Sequence, residues 1–154
     1  MLRITKLTDY SIVVLVHLSR SGESMTARAL SEVSCLPIAT VSKILKTLTR
    51  HELLNSTRGA SGGYSLALAP NQISVANIVE AMEGPLAITE CSDNRVTDCD
   101  DGGSCPMRSH WNHINIAVKG ALQGVTLEDL QRPTPFYNIF NDSPRVASEQ
   151  QPDV

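Results

Sequence analysis

The stretch that decides the fold is LLNSTRGASGGYSLAL, residues 53–68, in which two short runs enclose a glycine-rich centre. The flanking runs read as strands, and the alternation of Tyr64, Leu66 and Leu68 is typical of a half-buried strand. The centre, RGASGG at 58–63, has the conformational freedom that a hairpin tip needs. The stretch therefore predicts an antiparallel hairpin with Arg58 at its tip.

Three predicted helices precede this hairpin. Thr8 and Asp9 predict the cap of the first helix, and Thr26 predicts the cap of the second. A break that ends at Pro37 introduces the third, whose apolar positions repeat every three or four residues over 38–48. Helix, turn, helix, strand, glycine-rich hairpin and strand is the element order of a winged helix-turn-helix.

The third helix presents a polar and cationic face. Thr40, Ser42 and Lys43 combine small hydroxyls with a cation and can reach base edges in a major groove. Lys46 and Arg50 lie further along and are placed to meet phosphates. These residues could also be a solvated surface, but the full element order with an arginine-bearing wing favours DNA. The predicted DNA-binding residues are Thr40, Ser42, Lys43, Lys46, Arg50, Arg58, Gly59 and Ser61.

The net charge of −3 hides an asymmetry along the chain. Residues 1–84 carry eight Lys and Arg against six acids, whereas residues 85–154 carry five against ten. Within 38–64, four cations face Glu52 alone. The low overall pI argues weakly against nucleic acid, but a local basic surface matters more than the total.

Three of the four cysteines, Cys91, Cys99 and Cys105, lie within fifteen residues on a loop rich in glycine and aspartate. Their spacing is C-x7-C-x5-C, and thiolates gathered in this way favour a soft metal or an iron–sulfur cluster. Zinc remains open, although zinc ribbons usually have closer pairs. Cys35, in the turn before the third helix, is expected to be a small packed residue and not a ligand.

The N-terminus has the charge pattern of a signal peptide, with Arg3 and Lys6 before an apolar run at 12–16. Asp9 and His17 interrupt that run, no small-residue cleavage site follows, and the run is too short to span a bilayer. The chain is therefore predicted to be cytoplasmic, with no membrane association. In that compartment clustered thiols bind metal more often than they form disulfides.

Several motifs together resemble the IscR/NsrR-type family of winged-helix regulators, most closely those of SUF-type iron–sulfur cluster assembly. They are LTDY at 7–10, RGASGGY at 58–64, the three spaced cysteines and a following tryptophan-bearing helix. The resemblance runs from residue 1 to about residue 130. It implies a homodimer whose long helices, here about 106–122, cross at the two-fold axis. It also implies a [2Fe-2S] or [4Fe-4S] cluster on Cys91, Cys99 and Cys105.

At the position of the fourth ligand, this chain differs from one branch of that family. The IscR branch has a histidine three residues after the last cysteine, where this chain has Arg108. In the nitric-oxide-sensing branch, an aspartate of the first-helix TDY segment ligates the partner subunit's cluster, and this chain has Asp9 there. The resemblance thus implies Asp9 in trans, with His110 as second choice. Asp9 could instead be a helix-start acid that complements the helix dipole.

The predicted fold class is mainly α with a small β-hairpin wing: a winged helix-turn-helix plus a long C-terminal dimerisation helix. Four segments follow, which are the DNA-binding domain at 1–84, the cluster loop at 85–105, the dimerisation helix with a short capped helix at 106–131, and a flexible tail at 132–154. Ser42 stands where the family often has an acid, so the target sequence stays open.

The predicted function is a non-enzymatic repressor or dual regulator that binds double-stranded promoter DNA. It would sense iron–sulfur cluster, redox or nitric oxide status and control cluster assembly genes. One alternative is a cluster-free regulator of redox or sulfur metabolism that uses thiols or zinc. Another is an iron–sulfur electron-transfer protein, which would leave the third helix and the wing without a purpose.

Overall fold

A computed structural model describes residues 4–59, 62–89 and 105–132. Within these residues the chain is mainly helical with one two-stranded sheet, which confirms the predicted mainly α fold with a hairpin. The elements are α1 (Lys6–Ser21), α2 (Ala27–Ser34), α3 (Ile38–Arg50), β1 (Leu54–Thr57), β2 (Gly63–Leu66), a 3-10 turn (Pro70–Gln72), α4 (Val75–Glu83), α5 (Arg108–Gln123) and α6 (Leu127–Leu130).

Helix α1 begins earlier than its sequence predicts. Its N-cap is Thr5, whose hydroxyl accepts a hydrogen bond from the Thr8 amide at 3.3 Å. The predicted cap at Thr8 and Asp9 is wrong, because both lie inside the first turns and Thr8 is buried. The helix ends at Gly22, whose φ of 67° is the left-handed conformation that glycine adopts without strain.

The helix-turn-helix follows the sequence pattern more closely. Thr26 caps α2 as predicted, accepting from the Ala29 amide at 3.1 Å. Helix α2 ends at Cys35, which takes a left-handed φ of 56°. The expectation that Cys35 is packed is wrong, since this C-cap position leaves the thiol exposed. Pro37 then serves as the N-cap of α3.

The hairpin is antiparallel, with Leu54 opposite Leu66 and Thr57 opposite Gly63. It is joined to the turn before α2, because the Tyr64 amide donates to the Met25 carbonyl at 2.8 Å and the Met25 amide donates back at 2.9 Å. A Cβ added to Gly63 would lie 2.8 Å from the Met25 carbonyl oxygen. Glycine is therefore required where the wing crosses that turn.

A single core holds α1, α3, α4 and the base of the hairpin together. Leu15, Ile44 and Ile78 are completely buried in it. Leu127 of the short helix α6 is equally buried, and its amide donates to the Ile73 carbonyl at 2.8 Å. The end of the described chain thus packs into the same core as α1, α3 and α4, while the segment boundaries drawn from the sequence stay predictions.

Helix α5 differs from the other long helices because none of its described residues is buried. Ile114 and Ile116 leave 42% and 70% of their surface exposed. Lys119 attaches the helix to α4 through an ion pair with Glu80, with the Lys119 nitrogen 2.7 Å from the carboxylate oxygen. In the described residues no helix is both long and apolar enough to cross a membrane.

Candidate functional site

The outer face of α3 carries the side chains that the sequence assigns to DNA. Ser42, Lys43, Lys46 and Arg50 are exposed, and Thr40 is half-buried. The opposite face is fixed in the core by four completely buried side chains, so the polar face must point outward. Those four buried side chains are Val41, Ile44, Leu45 and Leu48.

The charges on this face are available to a ligand. Helix α3 contains no acid, and among the described residues neither its three cations nor Arg58 forms an ion pair. By contrast, Arg28 on α2 forms an ion pair with Glu32, and Arg132 after α6 forms one with Glu128. In both pairs the nitrogen–oxygen distance is 3.2 Å. The unpaired cations therefore make α3 and the wing a surface suited to an anionic partner.

The wing meets α3 along a shallow groove. Ser42 and Lys46 line it from the helix, and Ser56 and Tyr64 line it from the hairpin. At the tip of the wing, Arg58 and Gly59 are exposed. The helix and the wing thus form one continuous polar surface; the predicted contact Ser61 lies outside the described residues.

The backbone of the tip depends on its glycines. Gly59 has a φ of 115°, which other residues rarely adopt. A Cβ on Gly62 would lie 2.5 Å from the Thr57 carbonyl oxygen, so the chain could not close this tightly around a side chain. These two glycines hold Arg58 on a compact tip.

Sequence reasoning did not assign three groove-lining residues to this surface: Thr49, Ser56 and Tyr64. Alternation predicts Tyr64 in a half-buried strand, and the side chain is half-buried against the core while it also lines the groove. The signal that could have found Ser56 is the polar run after Leu54, because only Leu54 of β1 is buried.

Of the three predicted thiolate ligands, the structure describes Cys105. It is a free, half-buried thiol, and its carbonyl accepts from the Arg108 amide at 3.2 Å, where α5 begins. Cys91 and Cys99 lie outside the described residues. Within the described ranges no three His, Cys, Asp or Glu side chains gather closely enough to hold a metal, so the ligand set stays a prediction.

The two candidates for the fourth ligand lie on different helices. Asp9 is exposed in the first turn of α1, at the edge of an open pocket that Thr5 and Lys6 also line. His110 is exposed in the first turn of α5. Both side chains are therefore accessible for coordination in the described structure.

Next to Asp9, the Thr8 side chain is tied to the far end of α4. Its hydroxyl donates to Glu83 Oε1 at 2.6 Å, and the Thr5 amide donates to the same oxygen at 2.8 Å. Partial burial raises the pKa of Glu83, but the hydrogen bonds from Thr8 and Thr5 outweigh it and hold the pKa below its ordinary value of 4.5. Glu83 therefore stays ionised at neutral pH.

The cysteine loop is the part of the chain from Cys91 to Cys105. The residues between α4 and this loop are hydrogen-bonded to α5. The Asn115 amide nitrogen donates to the Leu86 carbonyl at 3.1 Å, and its amide oxygen accepts from the Ile88 amide at 3.2 Å. Cys105 lies at the other end of the loop, just before the same helix. Both ends of the cysteine loop are thus anchored close to α5.

Comparison with known proteins decides the family. A family model described as Rrf2, an iron-dependent transcriptional regulator, matches residues 4–133. The chain belongs to the Rrf2 family. This membership confirms the predicted resemblance and the winged-helix fold, and it identifies the protein as a DNA-binding transcriptional regulator and not an enzyme.

Three relatives illustrate the range of the Rrf2 family around this chain. The NsrR regulator of Oceanobacillus iheyensis is 28% identical over 131 residues, 84% of this chain and 89% of the relative. The IscR regulator of Sodalis glossinidius is 25% identical over 157 aligned residues, 98% of this chain and 94% of the relative. The solved structure of CymR, the global cysteine regulator of B. subtilis, has a TM-score of 0.66 at 26% identity, covering 85% of this chain and 97% of CymR.

Proposed function

We propose that the protein is a homodimeric repressor or dual regulator that binds operator DNA and controls iron–sulfur cluster assembly genes according to the state of a bound cluster. The observation that carries the DNA-binding part is the surface that α3 shares with the wing. It is polar, it contains four cations free of ion pairs among the described residues, and the hydroxyls of Thr40 and Ser42 lie among them.

Roles on this surface follow from position. Ser42 and Lys43 are exposed toward the start of α3, the end that enters a major groove in helix-turn-helix proteins, and are assigned to base edges. Lys46 and Arg50 lie one and two turns further along and are assigned to phosphates. Arg58 on the compact tip is assigned to the adjacent minor groove, whose negative potential attracts arginine.

The exposed apolar side chains of α5 support the homodimer. No described residue of α5 is buried, so Ile114 and Ile116 are exposed to water, and exposed apolar side chains on a long helix are typical of a protein interface. Pairing two copies of α5 about a two-fold axis would bury Ile116, the more exposed of the two, and set two α3 helices at a fixed spacing. Successive major grooves of an operator require such a spacing.

The proposed cluster is held by Cys91, Cys99 and Cys105, with Asp9 of the partner subunit as fourth ligand and His110 as second choice. The donor chemistry fits, because Cys105 is a free thiol, Asp9 is exposed, and soft thiolates suit iron–sulfur clusters. When bound, the cluster supplies a redox- and nitric-oxide-sensitive group. Because Asp9 would come from the partner subunit, the state of the cluster would depend on the relative position of the two subunits.

A second candidate function follows from the likeness to CymR, a cysteine regulator. In that case the thiols, or zinc bound by them, respond to redox or sulfur metabolism without a cluster. Metal content separates the two functions, since one predicts iron with sulfide and the other zinc or no metal.

The test begins with protein purified without oxygen. Visible thiolate-to-iron absorption with matching iron and sulfide supports the cluster, and footprinting of the loaded and metal-free forms on promoter DNA shows which of them binds. A colourless protein that contains only zinc would refute the cluster. Asp9→Ala should destabilise the cluster while His110→Ala should not, and the reverse result assigns the ligand to His110.

A further inference from the structure

The start of α1 is capped by a residue from another helix. In a capping box, an acid three residues after the N-cap accepts a hydrogen bond from the N-cap amide. In α1 the N-cap is Thr5, and the residue in that third position is Thr8, which is not acidic. The Glu83 carboxylate, 78 residues from Thr5, accepts the Thr5 amide hydrogen bond instead.

The contact is well enclosed on the α1 side. Thr8 is completely buried, its hydroxyl donates to Glu83 Oε1 at 2.6 Å, and the Ser11 hydroxyl donates to the Thr8 carbonyl at 2.6 Å. A hydroxyl that donates to an ionised carboxylate forms a charge-assisted bond, which is stronger than a neutral one. A negative charge at a helix N-terminus is also favoured by the helix dipole.

The two residues of this contact, Thr8 and Glu83, are each next in the chain to one part of the proposed cluster site. Asp9 follows Thr8 directly along α1. On the other side, Glu83 is the last residue of α4, and Gly84, with a φ of 92°, turns the chain toward the cysteine loop. One carboxylate thus fixes the position of the Asp9 turn relative to the start of that loop.

We propose that Glu83 is a positioning residue that sets the Asp9 turn through the Thr8 hydroxyl and links it to the cysteine loop of the same subunit. The inference rests on the proposed function, in which Asp9 serves the partner's cluster while the loop holds the subunit's own cluster. Glu83 then connects the two cluster sites of the dimer. A shift of the loop when one cluster is lost would move the aspartate that serves the other.

The test uses the full-length dimer prepared without oxygen, with three variants of the contact and one control variant. Thr8→Val removes the hydroxyl and keeps the side-chain shape, and Glu83→Gln removes the charge. Thr8→Ser retains the hydroxyl and serves as the rescue. Glu80→Gln is the matched control, because it removes an acid from the same end of α4 that pairs with Lys119 and not with α1.

We expect Thr8→Val and Glu83→Gln to lose the cluster to an iron chelator on the order of tenfold faster than the wild type, since the first removes the donor and the second replaces charge-assisted hydrogen bonds by weaker neutral ones. Thr8→Ser should stay near the wild-type rate. In the metal-free protein, amide exchange in residues 5–9 should rise in the first two variants and not in Glu80→Gln.

The outcomes separate the inference from the proposed function. A wild type that holds a cluster, together with Thr8→Val and Glu83→Gln variants that lose it at the wild-type rate, overturns the positioning role and leaves the proposed function intact. Faster amide exchange with unchanged cluster loss means that Glu83 is only structural, and this also overturns the inference. A colourless wild type overturns both.

Discussion

Replacing Lys46 by alanine should change how DNA binding depends on salt. Lys46 is exposed on α3, forms no ion pair among the described residues and lines the groove between the helix and the wing. Its position two turns into α3 assigns it to a phosphate and not to a base. Lys46→Ala should therefore weaken binding to all DNA sequences alike and leave sequence preference unchanged.

The size of the effect follows from counterion release. Each phosphate contact contributes about 0.9 to the slope of log affinity against log salt. The proposed dimer would lose one contact per subunit, so the slope should become shallower by about 1.8. Raising the salt from 50 to 200 mM should therefore weaken the affinity of the variant about tenfold less than it weakens the affinity of the wild type.

Fluorescence anisotropy with a labelled promoter fragment at four or five salt concentrations measures this slope. Arg132→Ala is the matched control, because it removes one exposed positive charge that pairs with Glu128, follows α6 and belongs to neither α3 nor the wing. Its slope should equal that of the wild type. If Lys46→Ala and Arg132→Ala shift the slope equally, net charge and not a contact from α3 explains the effect, and the assignment of Lys46 is refuted.

Three further predictions concern the packing around the site. Leu127→Ala should lower the free energy of unfolding in urea by about 2–5 kcal/mol, because the side chain is completely buried, whereas Val125→Ala, at a site 38% exposed, should cost less than about 1 kcal/mol. Equal effects would contradict the docking of α6. Asn115→Ala removes both hydrogen bonds to the segment before the cysteine loop, so exchange of the Ile88 amide should accelerate on the order of tenfold by mass spectrometry or NMR. The Thr126 hydroxyl and amide lower the pKa of Asp129 below its ordinary 3.8, so the folded state binds fewer protons than the unfolded state. The contribution of Asp129 to the free energy of unfolding is complete above pH 3.8 and is lost as the pH falls through the lower pKa of the folded state. Asp129→Asn should flatten the acid part of the stability profile, and an unchanged profile would contradict the cap.

The features that the sequence predicted correctly are local ones. Thr26 caps α2 at the predicted position, because a cap depends on a side chain and an amide only three residues apart. The outward face of α3 was equally predictable, since its apolar residues recur with the helical period and those at 41, 44, 45 and 48 are all buried.

The two wrong predictions have different causes, since one involves a distant residue and the other the local end of a helix. Thr8 looked like a helix cap, but its hydroxyl donates to Glu83, 75 residues away, and leaves the cap to Thr5. Cys35 looked like a small packed residue, but the left-handed end of α2 leaves it exposed. The role of Thr8 cannot be read from the neighbouring residues alone.

By itself the sequence determined the order of the elements, the cationic face of α3 and the glycine-built wing, because periodicity, caps and turn chemistry act over a few residues. Only the tertiary structure decided that α3 and the wing share one groove and that α6 closes the core. It also decided that Glu83 holds the turn carrying Asp9. These relations join residues that are far apart in the chain, and they are fixed by the packing of the helices around Leu15, Ile44 and Leu127.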